Sequence, residues 1–237
     1  MSTRYESLKS ALLYPDVFHV TAPTFLVGHD VWPRKPGVFI RAGQLANIGH
    51  VPEPVEVADA DQPPPESPPH ELGAGQFGLV PRWVKSASDA KLRSTKLVNA
   101  RSETVTTSNN FRDAWLGGQR CIVPMMAFMD DDWRSGKAVP TRIARVDGKP
   151  MGVAGLWESW TGADGEVIIS YTLLTVNANS HALMSRYQQS GNEKRMLAIL
   201  NEGAYDAWLG ARPEKAKEFM RAYPANWLTA NPVEKAR

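Results

Sequence analysis

Short apolar stretches, bounded by glycine, proline or aspartate, recur through the chain. Runs of this length that are rich in β-branched and aromatic residues are typical of β-strands. The pattern predicts strands over 38–40, 77–80, 120–124, 141–146, 152–157, 167–176 and 195–200. The turn signals Asp147-Gly148 and Asp164-Gly165 indicate hairpins between the strands that flank them.

Helical periodicity is confined to a few short segments. Tyr5, Leu8 and Leu12 fall on one stripe of a helix near the start of the chain, and Gly117-Gly118 is a typical helix end. The pattern predicts helices over 4–13, 107–116, 202–209 and 213–223, and one or two helical turns over 181–187. Many strands with few helices predict an α+β fold with a curved, barrel-like, mostly antiparallel β core and peripheral helices.

The segment 51–70 differs from the rest of the chain because it holds seven of the 18 prolines. Proline at this density excludes both a helix and a central strand, so a surface loop in semi-extended polyproline form is expected. An SH3-type ligand is an alternative interpretation of the same segment. We expect one domain over 1–237, interrupted by this loop and ending in helices at about 202–223.

Composition adds few constraints. The net charge of +2 gives no global basic field, which leaves a local basic groove open. The single cysteine, Cys121, excludes an intrachain disulfide and a cysteine-rich metal site, and it is interpreted as a buried inert thiol in a reducing compartment. The chain has no apolar run long enough to span a membrane and no signal-peptide pattern, so a soluble, cytoplasmic protein is expected.

The run Asn99-Ala100-Arg101-Ser102-Glu103 places an amide, a guanidinium and a carboxylate close together. In an extended chain, alternation sends Asn99, Arg101 and Glu103 to one face. Arginine suits phosphate because its planar fork makes paired charge-assisted hydrogen bonds. The alternative is an exposed loop with a local Arg–Glu pair.

Trp83 lies between Arg82 and Lys85, an arrangement in which the indole stacks on a base while the cations hold phosphates. Core packing of the indole is the alternative. Four cations, Lys85, Lys91, Arg93 and Lys96, form a basic approach to the Asn99 run or, alternatively, a solvated charged loop. We call these four cations the basic approach.

The run Asp130-Asp131-Asp132 also allows two interpretations. Three adjacent carboxylates suggest a metal site, but such sites draw on several chain segments, and acidic loops are common. We therefore expect neither a metal nor a cofactor.

Five motifs occur in an order and spacing that resemble the SRAP family, the SOS-response-associated peptidases or abasic-site processing proteins. They are 77–83 (FGLVPRW), 99–104 (NARSET), 120–124 (RCIVP), 154–157 (AGLW) and 194–196 (KRM), within a match that runs from residue 2 to about residue 210. The resemblance implies a β-barrel-like core and a positively charged cleft for single-stranded DNA. It also implies covalent capture of abasic sites and, in some members, self-cleavage of a short leader.

In the family, an N-terminal cysteine attacks the ring-opened sugar aldehyde and closes a thiazolidine, a glutamate assists proton transfer, and a histidine helps to open the sugar. This chain has Ser2, Asp130 and Gln188 at the corresponding positions. Asn99 matches the family at the reacting centre. The resemblance assigns DNA contacts to Arg4, Arg101, Glu103 and Arg195, to which Trp83 and Lys85 are added from the pattern above.

These replacements weaken the expected chemistry. A serine hydroxyl is a poorer nucleophile than a thiolate, aspartate is shorter than glutamate by one methylene, and Gln188 cannot titrate near neutral pH. If Met1 is retained, the Ser2 nitrogen lies in a peptide bond and cannot form an imine, although removal is expected before a residue as small as serine.

We therefore predict a protein that binds single-stranded or gapped DNA with abasic sites but is impaired in crosslinking and self-cleavage. One alternative is an active enzyme that uses Ser2 as its N-terminal nucleophile. Another is a non-enzymatic partner-binding module on the same fold, with 51–70 as a contact segment. The sequence indicates no specific protein partner.

Overall fold

The computed structural model describes residues 2–43 and 70–233, and β-strands dominate these ranges. The strands are β1 (Tyr5–Glu6), β2 (Asp30–Val31), β3 (Pro36–Ala42), β4 (His70–Phe77), β5 (Asn99–Arg101), β6 (Arg120–Met125), β7 (Ala127–Asp132), β8 (Val139–Arg145), β9 (Met151–Thr161), β10 (Val167–Asn177), β11 (Arg195–Leu197), β12 (Ile199–Leu200) and β13 (Leu228–Pro232). The α-helices are α1 (Leu13–Phe18), α2 (Ala87–Ser94), α3 (Arg112–Leu116), α4 (Tyr205–Leu209) and α5 (Pro213–Ala216). Single 3₁₀ turns cover Met184–Arg186, Glu202–Ala204, Lys217–Phe219 and Ala225–Trp227.

Five strands close into a barrel in the order β10-β4-β3-β6-β9, with the ring completed by pairing of β9 with β10. All of these pairings are antiparallel except that of β4 with β10. Strand β5 adds in parallel to one edge of β10, and β11 pairs with the other edge beyond the end of β9. The Asn99 run and the Arg195 strand therefore lie on either side of one strand.

A second sheet has the order β13-β8-β7-β1-β2 and brings the start of the chain to β7. Tyr5 pairs with Phe128 of β7 on one side and with Val31 of β2 on the other. The amino-terminal segment thus runs antiparallel to the strand that contains Asp130.

One hydrophobic core joins the two sheets. The ring of Tyr5 packs edge-on against Phe77 with ring centroids 5.4 Å apart, and Phe77 stacks on Tyr171 at 5.6 Å. The hydroxyls of Tyr5 and Tyr171 hydrogen-bond to each other in the interior. Because two polar atoms there satisfy each other, the first strand is fixed to the barrel by packing and by a hydrogen bond.

The predicted α+β fold with a barrel-like, mostly antiparallel core is confirmed. The strands expected over 38–40, 120–124, 141–146, 152–157 and 167–176 are present, and the stretch 195–200 forms β11 and β12. The hairpin at Asp164-Gly165 is confirmed by the pairing of β9 with β10.

Several local predictions are wrong. The segment 4–13 is not a helix, because Tyr5 and Glu6 pair with strands on both sides and helix α1 begins only at Leu13. No hairpin forms at Asp147-Gly148, since β8 pairs with β7 and β13 instead of β9. The strand expected over 77–80 ends at Phe77, where Gly78 adopts a φ of +113°.

The helices are shorter than predicted. Only Arg112–Leu116 of the segment 107–116 is α-helical, and the C-terminal region 202–223 contains two short α-helices with 3₁₀ turns. The proline-rich loop prediction for 51–70 lies outside the described residues, apart from His70, which begins β4. No helix among residues 2–43 and 70–233 has the length and apolarity that would cross a membrane.

Gly155 offers a direct test of the barrel. A Cβ at this position would lie 2.6 Å from the Thr172 carbonyl oxygen and 2.9 Å from Cys121 Sγ, so two neighbouring strands would have to move. We predict that Gly155→Ala lowers the free energy of unfolding in urea by about 1–3 kcal/mol. Gly203→Ala is the control, because a Cβ there meets nothing within 4 Å. Equal effects of the two substitutions would contradict the packing described for β9.

Candidate functional site

Ser2 is buried, with 4% of its surface exposed. Its carbonyl oxygen accepts a hydrogen bond from Asn99 Nδ2 at 2.7 Å, and its Oγ donates to the Arg4 carbonyl oxygen at 3.1 Å. The same Arg4 carbonyl accepts from the backbone N–H of Met129 at 3.0 Å. Two segments far apart in sequence, β5 and β7, therefore fix the position of Ser2.

The side-chain amide of Asn99 is engaged through its nitrogen but not through its oxygen. Its Nδ2 donates to Ser2, whereas Oδ1 is buried and has no hydrogen-bond partner among the described residues. The engaged nitrogen orients the Asn99 side chain towards the amino-terminal segment.

Asp130 and Gln188 form a buried pair, each 7% exposed. Gln188 Nε2 donates to Asp130 Oδ2 at 3.0 Å and to the Arg195 carbonyl oxygen at 2.7 Å, while its Oε1 accepts from the Arg195 backbone N–H at 3.0 Å. The Gln188 backbone N–H donates to the Asp131 carbonyl oxygen at 2.8 Å. The amide of Gln188 is thus oriented between β7 and β11.

The backbone of Gln188 is in the left-handed region, with φ of +65°. A non-glycine residue held there stores strain, and such residues cluster at functional sites. Lys194 Nζ donates to the carbonyl oxygens of Gln188 and Gln189, at 2.7 and 3.0 Å, and stabilises this conformation.

A pocket of about 370 Å³ lies beside the Asp130–Gln188 pair, and we call it the Asp130 pocket. It is lined by Arg101, Asp130, Asp131, Trp133, Gln188, Gln189, Asn192, Glu193 and Arg195. Four of the residues expected from the sequence therefore line one space. Ser2, Arg4, Asn99 and Glu103 are not among its lining residues.

A chain of ion pairs forms one wall of the Asp130 pocket. Arg101 Nη1 lies 2.6 Å from Glu193 Oε2, and Arg195 Nη1 lies 3.0 Å from Glu193 Oε1. Arg195 also makes paired hydrogen bonds to Glu103 at 3.0 and 2.7 Å. The local Arg101–Glu103 pair considered as the alternative is not what forms, because each of the two residues binds a partner from the segment 193–195.

The guanidinium groups of Arg195 and Arg101 differ in their exposure to solvent. Arg195 is 2% exposed, and Glu103, Glu193 and Thr175 engage all three of its guanidinium nitrogens. The side chain of Arg101 is 50% exposed, so its cation faces solvent on one side. The arrangement suits Arg101 to direct contact with an anion and Arg195 to positioning Glu193.

The electrostatics of the carboxylates follow from their surroundings. Burial raises the pKa of Asp130 above its ordinary value, although hydrogen bonds from Gln188 and the Asp131 backbone N–H oppose the shift. Burial also acts against ionisation of Glu103, but hydrogen bonds from Arg195 bring its pKa below the ordinary value. Hydrogen bonds from Asn177 and Arg195 lower the pKa of Glu193. Of these three carboxyls, Asp130 is therefore the one whose pKa lies above its ordinary value.

Arg4 does not line the Asp130 pocket and contacts the region around β2 instead. Its guanidinium carbon is 4.9 Å from the centre of the Trp32 ring, and its Nε is 3.5 Å from Asp30 Oδ1. The cation therefore has partners in β2 and in the turn that follows it.

Trp83 and Lys85 are not among the residues that line the Asp130 pocket. The Trp83 indole is 41% exposed, donates from Nε1 to the Asn109 carbonyl oxygen at 3.1 Å, and is covered on one face by Arg93 at 4.6 Å. Arg93, which is one of the cations of the basic approach, also forms an ion pair with Asp89 at 2.7 Å. Full burial of Trp83 in the core is not found.

Four residues that line the pocket were not among the candidates from the sequence: Trp133, Gln189, Asn192 and Glu193. Trp133 follows the acidic run directly, and Glu193 stands two residues before Arg195. Their closeness in sequence to the motifs was the signal that could have identified both. Among residues 2–43 and 70–233, no group of three or more histidine, cysteine, aspartate and glutamate side chains could hold a metal ion.

Comparison with known proteins decides the family. A family model described as SOS response associated peptidase (SRAP) matches residues 1–236. The chain belongs to the SRAP family. The abasic site processing protein YoqW of Bacillus subtilis (strain 168) is 29% identical over 168 residues, which are 69% of this chain and 70% of that protein.

Other SRAP relatives include the abasic site processing protein HMCES of Gallus gallus. It is 26% identical over 67% of this chain and 51% of its own length, so this chain spans about half of that protein. A crystal structure of a protein from Bordetella bronchiseptica is 38% identical, covers 98% of this chain and 100% of that chain, and superposes with a TM-score of 0.83.

The raised pKa of Asp130 gives this SRAP chain a testable pH dependence. The folded state binds the Asp130 proton more tightly than the unfolded state does, so the stability that the protonated group contributes is lost as pH rises through its folded pKa. Asp130→Asn cannot ionise. We predict that the melting temperature of this variant, relative to that of the parent protein, rises as the pH increases above about 4, the ordinary pKa of an aspartate.

Thermal melts across this pH range measure the effect. Asp164→Asn, at an exposed turn, controls for removal of one negative charge from the whole protein. A melting-temperature difference between Asp130→Asn and the parent that stays constant or shrinks with rising pH would contradict the assigned environment.

Proposed function

We propose that this SRAP protein binds single-stranded or gapped DNA that contains abasic sites, and that it is impaired in covalent capture of the sugar aldehyde. The names of its relatives YoqW and HMCES, both abasic site processing proteins, support DNA with abasic sites as the substrate class. The residues around Ser2 and the Asp130 pocket provide the support from this chain itself.

One observation supports the proposal most strongly: distant segments converge on a shared region. Asn99 Nδ2 binds the carbonyl oxygen of Ser2 at 2.7 Å, and Gln188 Nε2 binds Asp130 at 3.0 Å. Strand β1 runs beside β7, which places the Ser2 end of the chain alongside Asp130. The side chain of Asn99 thus fixes the Ser2 end of the chain from β5.

Binding requires a cation for phosphate, and Arg101 fills this role. Its half-exposed guanidinium stands at the wall of the Asp130 pocket, where it can bind a phosphate while a flanking sugar enters. We assign indirect roles to Glu103 and Arg195. Arg195 holds Glu193 against Arg101, and Glu103 neutralises Arg195.

Capture requires a nucleophile, and here the chain is deficient. An amine and a thiol add to one aldehyde carbon to close a thiazolidine with loss of water, whereas Ser2 offers a hydroxyl in place of the thiol. The hydroxyl is far from ionised at neutral pH and needs an adjacent base. Its Oγ donates instead to the Arg4 carbonyl oxygen at 3.1 Å, and Gln188 cannot move a proton.

A second candidate function is an active enzyme that uses Ser2 as an N-terminal nucleophile. The raised pKa of Asp130 favours it, because a buried carboxyl beside the N-terminal segment can act as acid or base. Borohydride trapping of an imine with an abasic oligonucleotide, seen only after Met1 is removed, would support this alternative.

We predict that the parent protein gives no heat-stable adduct with an abasic oligonucleotide and that Ser2→Cys with Asp130→Glu and Gln188→His gives one. The triple substitution restores the thiol, the longer carboxylate and the titrating group together. Denaturing gels of heated samples measure the adduct. Asp130→Glu with Gln188→His alone is the control and should give none. A triple variant that folds and binds DNA yet forms no adduct would contradict the assigned centre.

Arg101→Ala tests the phosphate contact. We predict weaker binding of a short single strand and a slope of log K against log salt that falls in magnitude by about 0.7, the value for loss of one contact on a single strand. Fluorescence anisotropy at several salt concentrations measures both. Arg212→Ala is the control, because Arg212 is exposed and has no ion pair within the described part of the chain. Unchanged binding by Arg101→Ala would reject the role of Arg101.

A further inference from the structure

The turn that follows β2 presents an aromatic ring and two cations to solvent. It consists of Trp32-Pro33-Arg34-Lys35 and is closed by a hydrogen bond from the Lys35 backbone N–H to the Trp32 carbonyl oxygen at 2.9 Å. Trp32, Arg34 and Lys35 are all exposed, with 46% of the Trp32 surface accessible. We call this segment the Trp32 turn.

Arg34 occupies a backbone conformation that suits glycine, with φ of +67°. The third position of a turn with proline second normally takes glycine or asparagine when φ is positive. The backbone is held there from both sides, since the Arg34 N–H donates to the Phe77 carbonyl oxygen at 2.7 Å and the Phe77 N–H donates to the Lys35 carbonyl oxygen at 3.0 Å. A long cationic side chain kept in a strained position is a reason to look for a ligand.

The charges around the turn leave a net positive surface. Arg4 stacks on the Trp32 ring at 4.9 Å and faces Asp30 at 3.5 Å, and Asp30 also lies 3.5 Å from His29. Arg34 and Lys35 have no ion pair within residues 2–43 and 70–233. Asp30 is thus occupied by Arg4 and His29, and the two turn cations are left for an external anion.

The Trp32 turn is close to the segment that contains Ser2. Strands β1 and β2 pair with Tyr5 opposite Val31, which puts Arg4 beside Trp32. Ser2 and Arg4 are two residues apart, a distance of roughly 7 Å in extended chain. A strand of nucleic acid with its reactive sugar at Ser2 would reach the turn within a few nucleotides.

We propose that the Trp32 turn binds the single strand that flanks the abasic nucleotide, with a base stacked on Trp32 and phosphates held by Arg34 and Lys35. Indole faces bind any base, and cations at a regular spacing follow the phosphates, so this contact is independent of sequence. An exposed indole between cations favours a polynucleotide over an acidic peptide, which has no planar ring to stack. The inference rests on the proposed function and adds a second contact to it.

The experiment compares two fluorescent single strands, each with one tetrahydrofuran abasic analogue. One has a single nucleotide on each side of the analogue, and the other has six on each side. Trp32→Ala should weaken binding of the long strand at least about fivefold, the lower limit for loss of one stacked base, and should leave the short strand unchanged. Arg34→Gln with Lys35→Gln should lower the salt slope for the long strand by about 1.4.

Matched controls come from the same chain. Trp227 is 48% exposed and packs edge-on against Tyr223, so Trp227→Ala removes an equally exposed indole elsewhere. Lys149→Gln with Arg212→Gln removes two exposed cations that have no ion pair in the described ranges. Both controls should bind the long strand as the parent does. Thermal melts check that each variant is folded.

The outcomes separate this inference from the proposed function. Equal binding of the long strand by the parent and by both turn variants would overturn the role of the Trp32 turn alone. An equal loss on the long and short strands would also overturn it, because the turn would then act through the pocket. If the parent protein binds neither strand, the proposed function fails, and with it this inference.

Discussion

The pairing of the first strand with β7 determines what the candidate site can contain. Tyr5 is fixed between Phe128 and Val31 by backbone hydrogen bonds, and its ring is buried against Phe77. This placement brings Ser2 within reach of the Asn99 amide. Without it, Ser2 would not lie alongside the strand that contains Asp130.

Around this constraint, burial assigns different roles to similar side chains. Arg195 and Arg101 carry the same charge, but one is enclosed by Glu103, Glu193 and Thr175, and the other is half exposed. Arg195 is buried and its charge is compensated by two carboxylates, so it is suited to a structural task. The exposed cation remains able to exchange Glu193 for a phosphate.

The sequence predicts the strands of the barrel better than it predicts the first strand and the ion pairs between distant segments. Long apolar runs such as the one in β10 specify strands locally, and alternation correctly places Ala100 inside and Arg101 outside. The first strand could not be recognised, because a two-residue strand has no periodicity of its own and depends on partners at 30–31 and 127–128. The partners of Arg101 and Glu103 were missed for the same reason: ion pairs between distant segments leave no local pattern.

The central claim is that DNA binding persists in this SRAP protein while covalent capture is impaired. The most direct measurement is intact-mass spectrometry of the unmodified protein after incubation with an abasic oligonucleotide and borohydride, beside a native gel of the same mixture. Our account predicts a shifted complex on the gel and a mass equal to that of the protein alone. A mass increased by that of the oligonucleotide in most molecules would contradict it.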